Sequence, residues 1–123
     1  MRIKTGRSGG FSLVELMIVV AVIGLLLALA IPNFVKSRDT SQLAVIYNNL
    51  RAIEAAKDQW ALENKKGTGD ATDLAALSDY LKGGTIQPAV NEVYATNPVG
   101  SPAYATCKTK LGTYSAADPI SSP

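Results

Sequence analysis

The chain of 123 residues contains no histidine and a single cysteine, Cys107. Histidine is the most versatile general base near neutral pH, and histidine and cysteine supply most zinc ligands, so the common catalytic dyads and zinc sites are excluded. A lone cysteine also excludes a disulfide within the chain. The sequence shows no nucleophile elbow, phosphate-binding loop or dinucleotide fingerprint. We therefore predict a protein that is not an enzyme and needs no cofactor.

Acidic residues are absent from the first ten positions, which hold three basic residues, Arg2, Lys4 and Arg7. The formal net charge of the whole chain is +2, but the other 113 residues carry nine basic and ten acidic side chains, a net charge of −1. We call the first ten residues the leader. The chain beyond the leader has no overall basic character, and we do not expect nucleic acid as a main partner.

Polar side chains are also missing from Leu16 to Ile31. With Leu13 and Val14, this run approaches the ~20 apolar residues that a helix needs to span a bilayer. Basic residues precede the run, which predicts a cytoplasmic N-terminus and a C-terminal part on the far side of the membrane. One charge, Glu15, lies near the start of the run.

The start of the run has the residues of a helix N-terminus. Ser12 followed three positions later by Glu15 is a capping box, and Phe11 with Leu16 can form a hydrophobic staple. Glu15 also lies at the positive end of the helix dipole. Taken alone, these residues indicate a well-capped membrane anchor.

Residues 10–16, GFSLVEL, stand behind a short basic leader and before a long apolar run. This arrangement resembles the class III signal of type IV prepilins and type II secretion pseudopilins, and residues 30–34, AIPNF, match the usual exit of that family from its membrane segment. The resemblance implies that prepilin peptidase cuts between Gly10 and Phe11, that the same enzyme methylates Phe11, and that Glu15 serves filament assembly. It is strong to about Asn64 and weak beyond.

An ordinary secretory signal is the alternative for the N-terminus, because residues 28–30, ALA, look like a cleavage site. A charge inside the apolar region is unusual for such signals, and the run is longer than their apolar core of about 7–15 residues. Cleavage there would also leave Pro32 as the second mature residue. The prepilin interpretation is therefore favoured.

A single helix is predicted from Phe11 to about Asn64, with residues 11–33 as the membrane and assembly segment and residues 34–64 as its amphipathic continuation. Gly24 and Pro32 weaken the first segment, since proline cannot donate to the carbonyl four residues earlier. Gly24 could equally serve a close helix contact. The resemblance implies that this segment melts or repacks when a subunit enters a filament. The second segment has an apolar stripe that we expect to pack against the head: Leu43, Ile46, Tyr47, Leu50, Ile53 and Trp60.

The charged side chains of the second segment predict its solvent-exposed side, here called the wet face: Arg51, Glu54, Lys57 and Asp58.

Residues 65–123 are predicted to form a small head. A short helix capped by Thr72 ends at residues 83–84, and strands follow at residues 90–96, 103–109 and, more briefly, 113–115. The tail, residues 116–123, is expected to be loose. Cys107 is predicted to be a buried unpaired thiol, with intermolecular pairing or lipidation as alternatives. The predicted fold is an α+β, pilin-like lollipop.

The predicted function is that of a structural filament subunit. The resemblance implies an inner-membrane precursor that crosses the membrane once, with its head in the periplasm, and whose partners are the peptidase, an assembly platform and copies of itself or related pilins. The short head and the missing disulfide favour a type II secretion pseudopilin over a surface type IV pilin. Against this, only Asp118 follows Glu92, so the acidic cluster of the calcium site of major pseudopilins is not evident. A signal-anchored monomer with a periplasmic binding head is the alternative of another class.

Overall fold

The structure is a computed structural model that describes residues 12–123. Its longest element is helix α1, Leu13–Glu63, of 51 residues. This confirms the predicted helix, whose expected first residue, Phe11, lies outside the described residues. The chain divides into two compact units, one that ends at Val35 and one that comprises Lys36–Pro123. The amphipathic second part of α1 thus belongs to the same compact unit as the head.

The head contains one antiparallel sheet of three short strands: β1, Glu92–Ala95; β2, Tyr104–Cys107; and β3, Pro119–Ser121. Strand β2 is central, and its Ala105 lies opposite Tyr94 of β1 and Ile120 of β3. The first two strands confirm the predicted strands but are shorter at both ends. The predicted alternation in β2 is also confirmed, because Ala105 and Cys107 are buried whereas Tyr104 and Thr106 are partly exposed.

The C-terminal predictions were wrong. Residues 113–115 form no strand, since a turn closed by a bridge between Leu111 and Tyr114 occupies this stretch. The third strand instead lies in the tail that we expected to be loose. Ala117, at φ 68°, donates its N–H to the carbonyl of Cys107, which returns the chain alongside β2. The Ile120 side chain is then fully buried, which stabilises the tail.

The short helix predicted after Thr72 is also absent. The chain forms turns there, followed by two single 3-10 turns, Ser78–Tyr80 and Lys82–Gly84. Thr72 does not cap a helix, because its hydroxyl donates to the Asn97 carbonyl and its carbonyl accepts from the Thr96 hydroxyl, both at 2.8 Å. These bonds tie the segment to the end of β1 and leave its backbone in turns.

The core of the second unit lies between α1 and the sheet. Ile46, Leu50 and Ile53 of the predicted stripe are fully buried, and Trp60 is partly buried against the same cluster. Cys107 is a buried free thiol, as predicted. The remaining core side chains are Ala56 of α1 and six from the turns, strands and loops: Leu77, Leu81, Ala103, Ala105, Leu111 and Ile120.

Lys57 departs from the predicted wet face, because its side chain is fully buried. Its Nζ donates to the carbonyl of Thr96, at 2.9 Å, and to that of Ser101, and it forms an ion pair with Glu54 at 3.5 Å. Glu54 in turn accepts the backbone N–H of Ala103. The two charges therefore fasten the β1–β2 connection to α1.

Candidate assembly segment in helix α1

Helix α1 begins with the Ser12 half of the predicted capping box. The Ser12 hydroxyl oxygen accepts the backbone N–H of Glu15 at 3.2 Å, and the Ser12 carbonyl accepts the N–H of Leu16 at 3.1 Å. Within residues 12–123, the Glu15 carboxylate itself has neither a hydrogen bond nor an ion pair. The backbone of Glu15 is thus engaged in the cap, while its charge is left for another group.

The first turns of α1 expose apolar side chains in every direction. All residues from Ser12 to Arg38 are exposed, and Leu13, Leu25 and Phe34 keep 74%, 64% and 70% of their surface accessible. Soluble monomers rarely expose a continuous apolar surface of this extent. Among the described residues, α1 is the one helix long and apolar enough to cross a membrane, judged by length and composition alone.

Gly24 and Pro32 both lie in this exposed part of α1. A Cβ on Gly24 would meet no atom within 4 Å, so the described residues leave a shallow notch open there. The helix is continuous through Pro32, and the side-chain amide of Asn33 donates to the Leu29 carbonyl at 3.1 Å. The melting of this segment in a filament stays a prediction.

The predicted site residues are thus only partly placed. Glu15, Gly24 and Pro32 lie on α1, while Gly10 and Phe11, the expected cleavage site, lie outside the described residues.

The head contains a second polar centre that sequence reasoning missed, the carboxylate of Glu92. Burial opposes its ionisation, but hydrogen bonds from the Ala89 N–H, the Tyr94 hydroxyl and the Val90 N–H outweigh burial and hold the pKa of Glu92 below its usual value. The three distances are 2.6, 2.8 and 2.7 Å. A signal was present in the sequence, namely a single acidic residue within the strand predicted over residues 90–96.

Glu92 borders an apolar cavity of about 390 Å³ between β1 and the 3-10 turns. The carboxylate accepts its hydrogen bonds from groups of its own chain, so the direct interpretation of Glu92 is a structural role. Within residues 12–123, no three His, Cys, Asp or Glu side chains come close enough to share a metal ion.

The thiol of Cys107 is buried. Burial, with a smaller contribution from the charge of Glu92, raises the pKa of its thiol. A thiol that stays protonated is a poor nucleophile and a poor metal ligand.

Comparison with known proteins places this chain by its N-terminal part. Residues 6–31 match the family described as the prokaryotic N-terminal methylation motif. The type IV major pilin protein PilA of Myxococcus xanthus is 41% identical over 68 residues, which cover 55% of this chain and 31% of the relative. The type II secretion system core protein G of Pseudomonas aeruginosa is 36% identical over 71 residues, which cover 58% of this chain and 50% of the relative.

A fimbrial protein of Pseudomonas aeruginosa is 40% identical over 63 residues, or 51% of this chain and 41% of the relative. The chain thus spans about a third to a half of the length of these curated relatives, and none of them is named as an enzyme. No solved structure matches the chain significantly. The apolar helix and these relatives together indicate a membrane-anchored protein. The chain therefore carries the N-terminal methylation motif, and its homologues include a type IV major pilin and the core protein G of type II secretion.

Proposed function

We propose that this protein is a structural subunit of a type IV-like filament, closest in role to a type II secretion pseudopilin. The precursor is a single-pass protein of the inner membrane, with its N-terminus in the cytoplasm and its head in the periplasm. Prepilin peptidase cuts it between Gly10 and Phe11 and methylates Phe11. The mature chain then leaves the membrane through an assembly platform and joins copies of itself or related pilins.

The observation that carries the proposal is the apolar surface of α1, which is exposed on all sides and lies largely within the matched methylation motif. Such a surface needs an apolar cover, since leaving it in water costs about 25 cal/mol for each Å². Lipid supplies that cover before assembly, and the helices of neighbouring subunits supply it in a filament. The same segment thus serves as membrane anchor and as polymerisation surface.

The charge of Glu15 fixes the axial position of this segment against its neighbours in a filament. Cleavage after Gly10 creates a cationic amine on Phe11, and a carboxylate without a partner at the centre of a membrane helix costs on the order of 2.5–3.5 kcal/mol. At the start of the run the cost is smaller, so the monomer tolerates the charge. In the apolar centre of a filament, the amine on a neighbouring subunit's first residue offsets it. Pairing of these charges sets the axial position of each incoming subunit.

Gly24 and Pro32 serve the passage from membrane to filament. A glycine costs roughly 1 kcal/mol and a proline about 3 kcal/mol of helix propensity. In lipid, the freed carbonyls need partners within the protein, which favours the continuous helix. In a filament, loss of helix between these two residues lets the segment lengthen and repack.

The decisive variant is Glu15→Val, expressed as the only copy of the protein. We expect cleavage after Gly10 and membrane insertion as in the wild type, but no entry into filaments, because the carboxylate that pairs with the neighbouring amine is gone. The matched control is Ser12→Ala, which removes the observed cap at a cost of about 0.5–2 kcal/mol of helix stability and keeps the charge. Normal filaments from Glu15→Val would refute the assembly role of the carboxylate.

A surface type IV pilin, used for adhesion, twitching or DNA uptake, is the second candidate. It is favoured by the 41% identity to the type IV major pilin of Myxococcus xanthus. Shearing of intact cells separates the two candidates, because a surface fibre is released into the medium whereas a short periplasmic pseudopilus stays with the cells. Recovery of the protein in the sheared fraction would replace the pseudopilin interpretation by that of a surface pilin.

A further inference from the structure

Four exposed basic side chains lie on two segments of the second unit. Lys36 and Arg38 lie in α1 where this unit begins, and Lys108 and Lys110 lie in the loop that follows β2. All four are exposed. Within residues 12–123, none of them takes part in an ion pair, since the ion pair found there joins Lys57 to Glu54.

The loop after β2 packs against the part of α1 that follows Lys36 and Arg38. A Cβ on Gly112 would lie 3.3 Å from Cδ1 of Leu43, and the hydroxyl groups of Tyr114 and Tyr47 are 3.2 Å apart. Leu43 follows Lys36 by seven residues, which places it two helical turns further along the same face of α1, at about 10 Å. The loop that carries Lys108 and Lys110 therefore packs on α1 within about two helical turns of Lys36 and Arg38, and these four exposed cations are called the basic surface below.

The charges nearby do not neutralise this surface. Residues 36–47 and 107–123 carry four basic and two acidic side chains, whereas residues 48–106 carry five basic and seven acidic side chains. Of the two acidic residues, Asp39 is partly buried, and the Asp118 carboxylate accepts the N–H of Ser115 at 2.9 Å. The segments that carry the four cations thus have a net charge of +2, and the rest of the second unit has a net charge of −2.

We propose that the basic surface docks the head on the anionic lipid headgroups of the bilayer that holds α1. Lys36 follows the last residue of the apolar run, Ile31, by only five positions, so its charge lies near the headgroups. Lys108 and Lys110 come from the far end of the sequence, and only folding of the head adds them to the same surface. Anionic headgroups attract four cations that lack an ion-pair partner, whereas a bilayer without net charge gives them little electrostatic attraction. The inference rests on the proposed placement of α1 in a membrane.

The proposal is tested by measuring how close a spin label on the loop after β2 lies to the bilayer surface. The full chain carries a label at Thr109→Cys, an exposed position between the two lysines, in a Cys107→Ala background, and is reconstituted in nanodiscs of phosphatidylcholine with or without phosphatidylglycerol. We expect a water-soluble nickel complex to reach the label much less in anionic discs. Lys108→Glu with Lys110→Glu removes this protection, with a shift in the docked population of roughly tenfold or more. High salt weakens it as well.

The matched control is Lys65→Glu with Lys66→Glu, an exposed pair with the same change of charge beyond the end of α1. We expect this variant to keep the protection. Equal accessibility of the label in neutral and anionic discs, or an equal loss of protection in both double variants, would overturn the docking proposal. Incorporation of the chain into discs is measured separately: a chain that does not enter discs would refute the membrane placement itself, whereas a chain that enters them without lipid-dependent protection would refute the docking alone.

Discussion

The buried ammonium of Lys57 gives the sharpest test of how the head is held together. Lys57→Met keeps the aliphatic length and removes the charge. The carbonyl of Thr96, which is buried, and that of Ser101 then lose their donor, and Glu54 loses its ion-pair partner. Glu54 still accepts the N–H of Ala103, so its loss is partial.

The expected cost follows from the burial of these groups. A buried acceptor left without a donor costs about 1–3 kcal/mol, and removal of one partner of a buried ion pair costs about 3–5 kcal/mol. Because Ser101 and Glu54 are partly exposed, water can replace part of the loss, and we expect about 2–4 kcal/mol in total. For a domain of this size, each kcal/mol lowers the melting temperature by about 4–8 °C, so a decrease on the order of 10–25 °C is expected.

Thermal unfolding of the full chain in detergent measures this cost. The fluorescence of Trp60 reports on the head, because this side chain packs against the core of the second unit. The control is Lys66→Met, an exposed lysine just beyond α1, for which we expect a change within about 0.5 kcal/mol. If Lys57→Met unfolds at the same temperature as Lys66→Met, the contacts of the ammonium do not stabilise the head and the reasoning is wrong.

Three further predictions concern other parts of the chain. The hydrogen bonds that lower the pKa of Glu92 stabilise the fold above the usual pKa of glutamate, about 4.3, and this contribution is lost as the pH falls through the lower pKa of the folded state. Glu92→Gln is therefore expected to lose about 1.5–3 kcal/mol at neutral pH and to show a weaker acid dependence of its melting temperature, and parallel pH profiles of variant and wild type would contradict this. Ile120→Ala is expected to destabilise the head by about 2–5 kcal/mol in thermal unfolding, and an unchanged melting temperature would mean that the tail is not part of the core. Mass spectrometry of the native protein is expected to find N-methylated Phe11 as the first residue, with Gly10→Leu leaving uncut precursor in the membrane; a mature chain that begins at Ile31 would show a secretory signal instead.

Local patterns in the sequence predicted α1 and most of its packing face. The apolar run, the cap of Ser12 and Glu15 and the stripe through Ile46, Leu50 and Ile53 depend on residues three to seven positions apart, and such spacings can be read directly. The first two strands followed in the same way from the alternation around Ala105. The membrane and assembly roles of the first segment were likewise inferred from adjacent residues, and they stay proposals because the described part of the chain contains no partner.

The parts that needed the tertiary structure depend on residues far apart in sequence. Lys57 is buried because the carbonyls of Thr96 and Ser101, about forty positions later, surround its ammonium, and helix periodicity alone placed it on the wet side. The tail forms β3 because β2 offers a free edge, which turns a segment rich in serine and proline into a strand. Thr72 has the residue type of a helix cap, but its bonds to the end of β1 compete with the helix and prevail. A sequence pattern records the preferences of neighbouring residues, whereas these contacts exist only once the fold brings distant backbone groups within hydrogen-bonding distance.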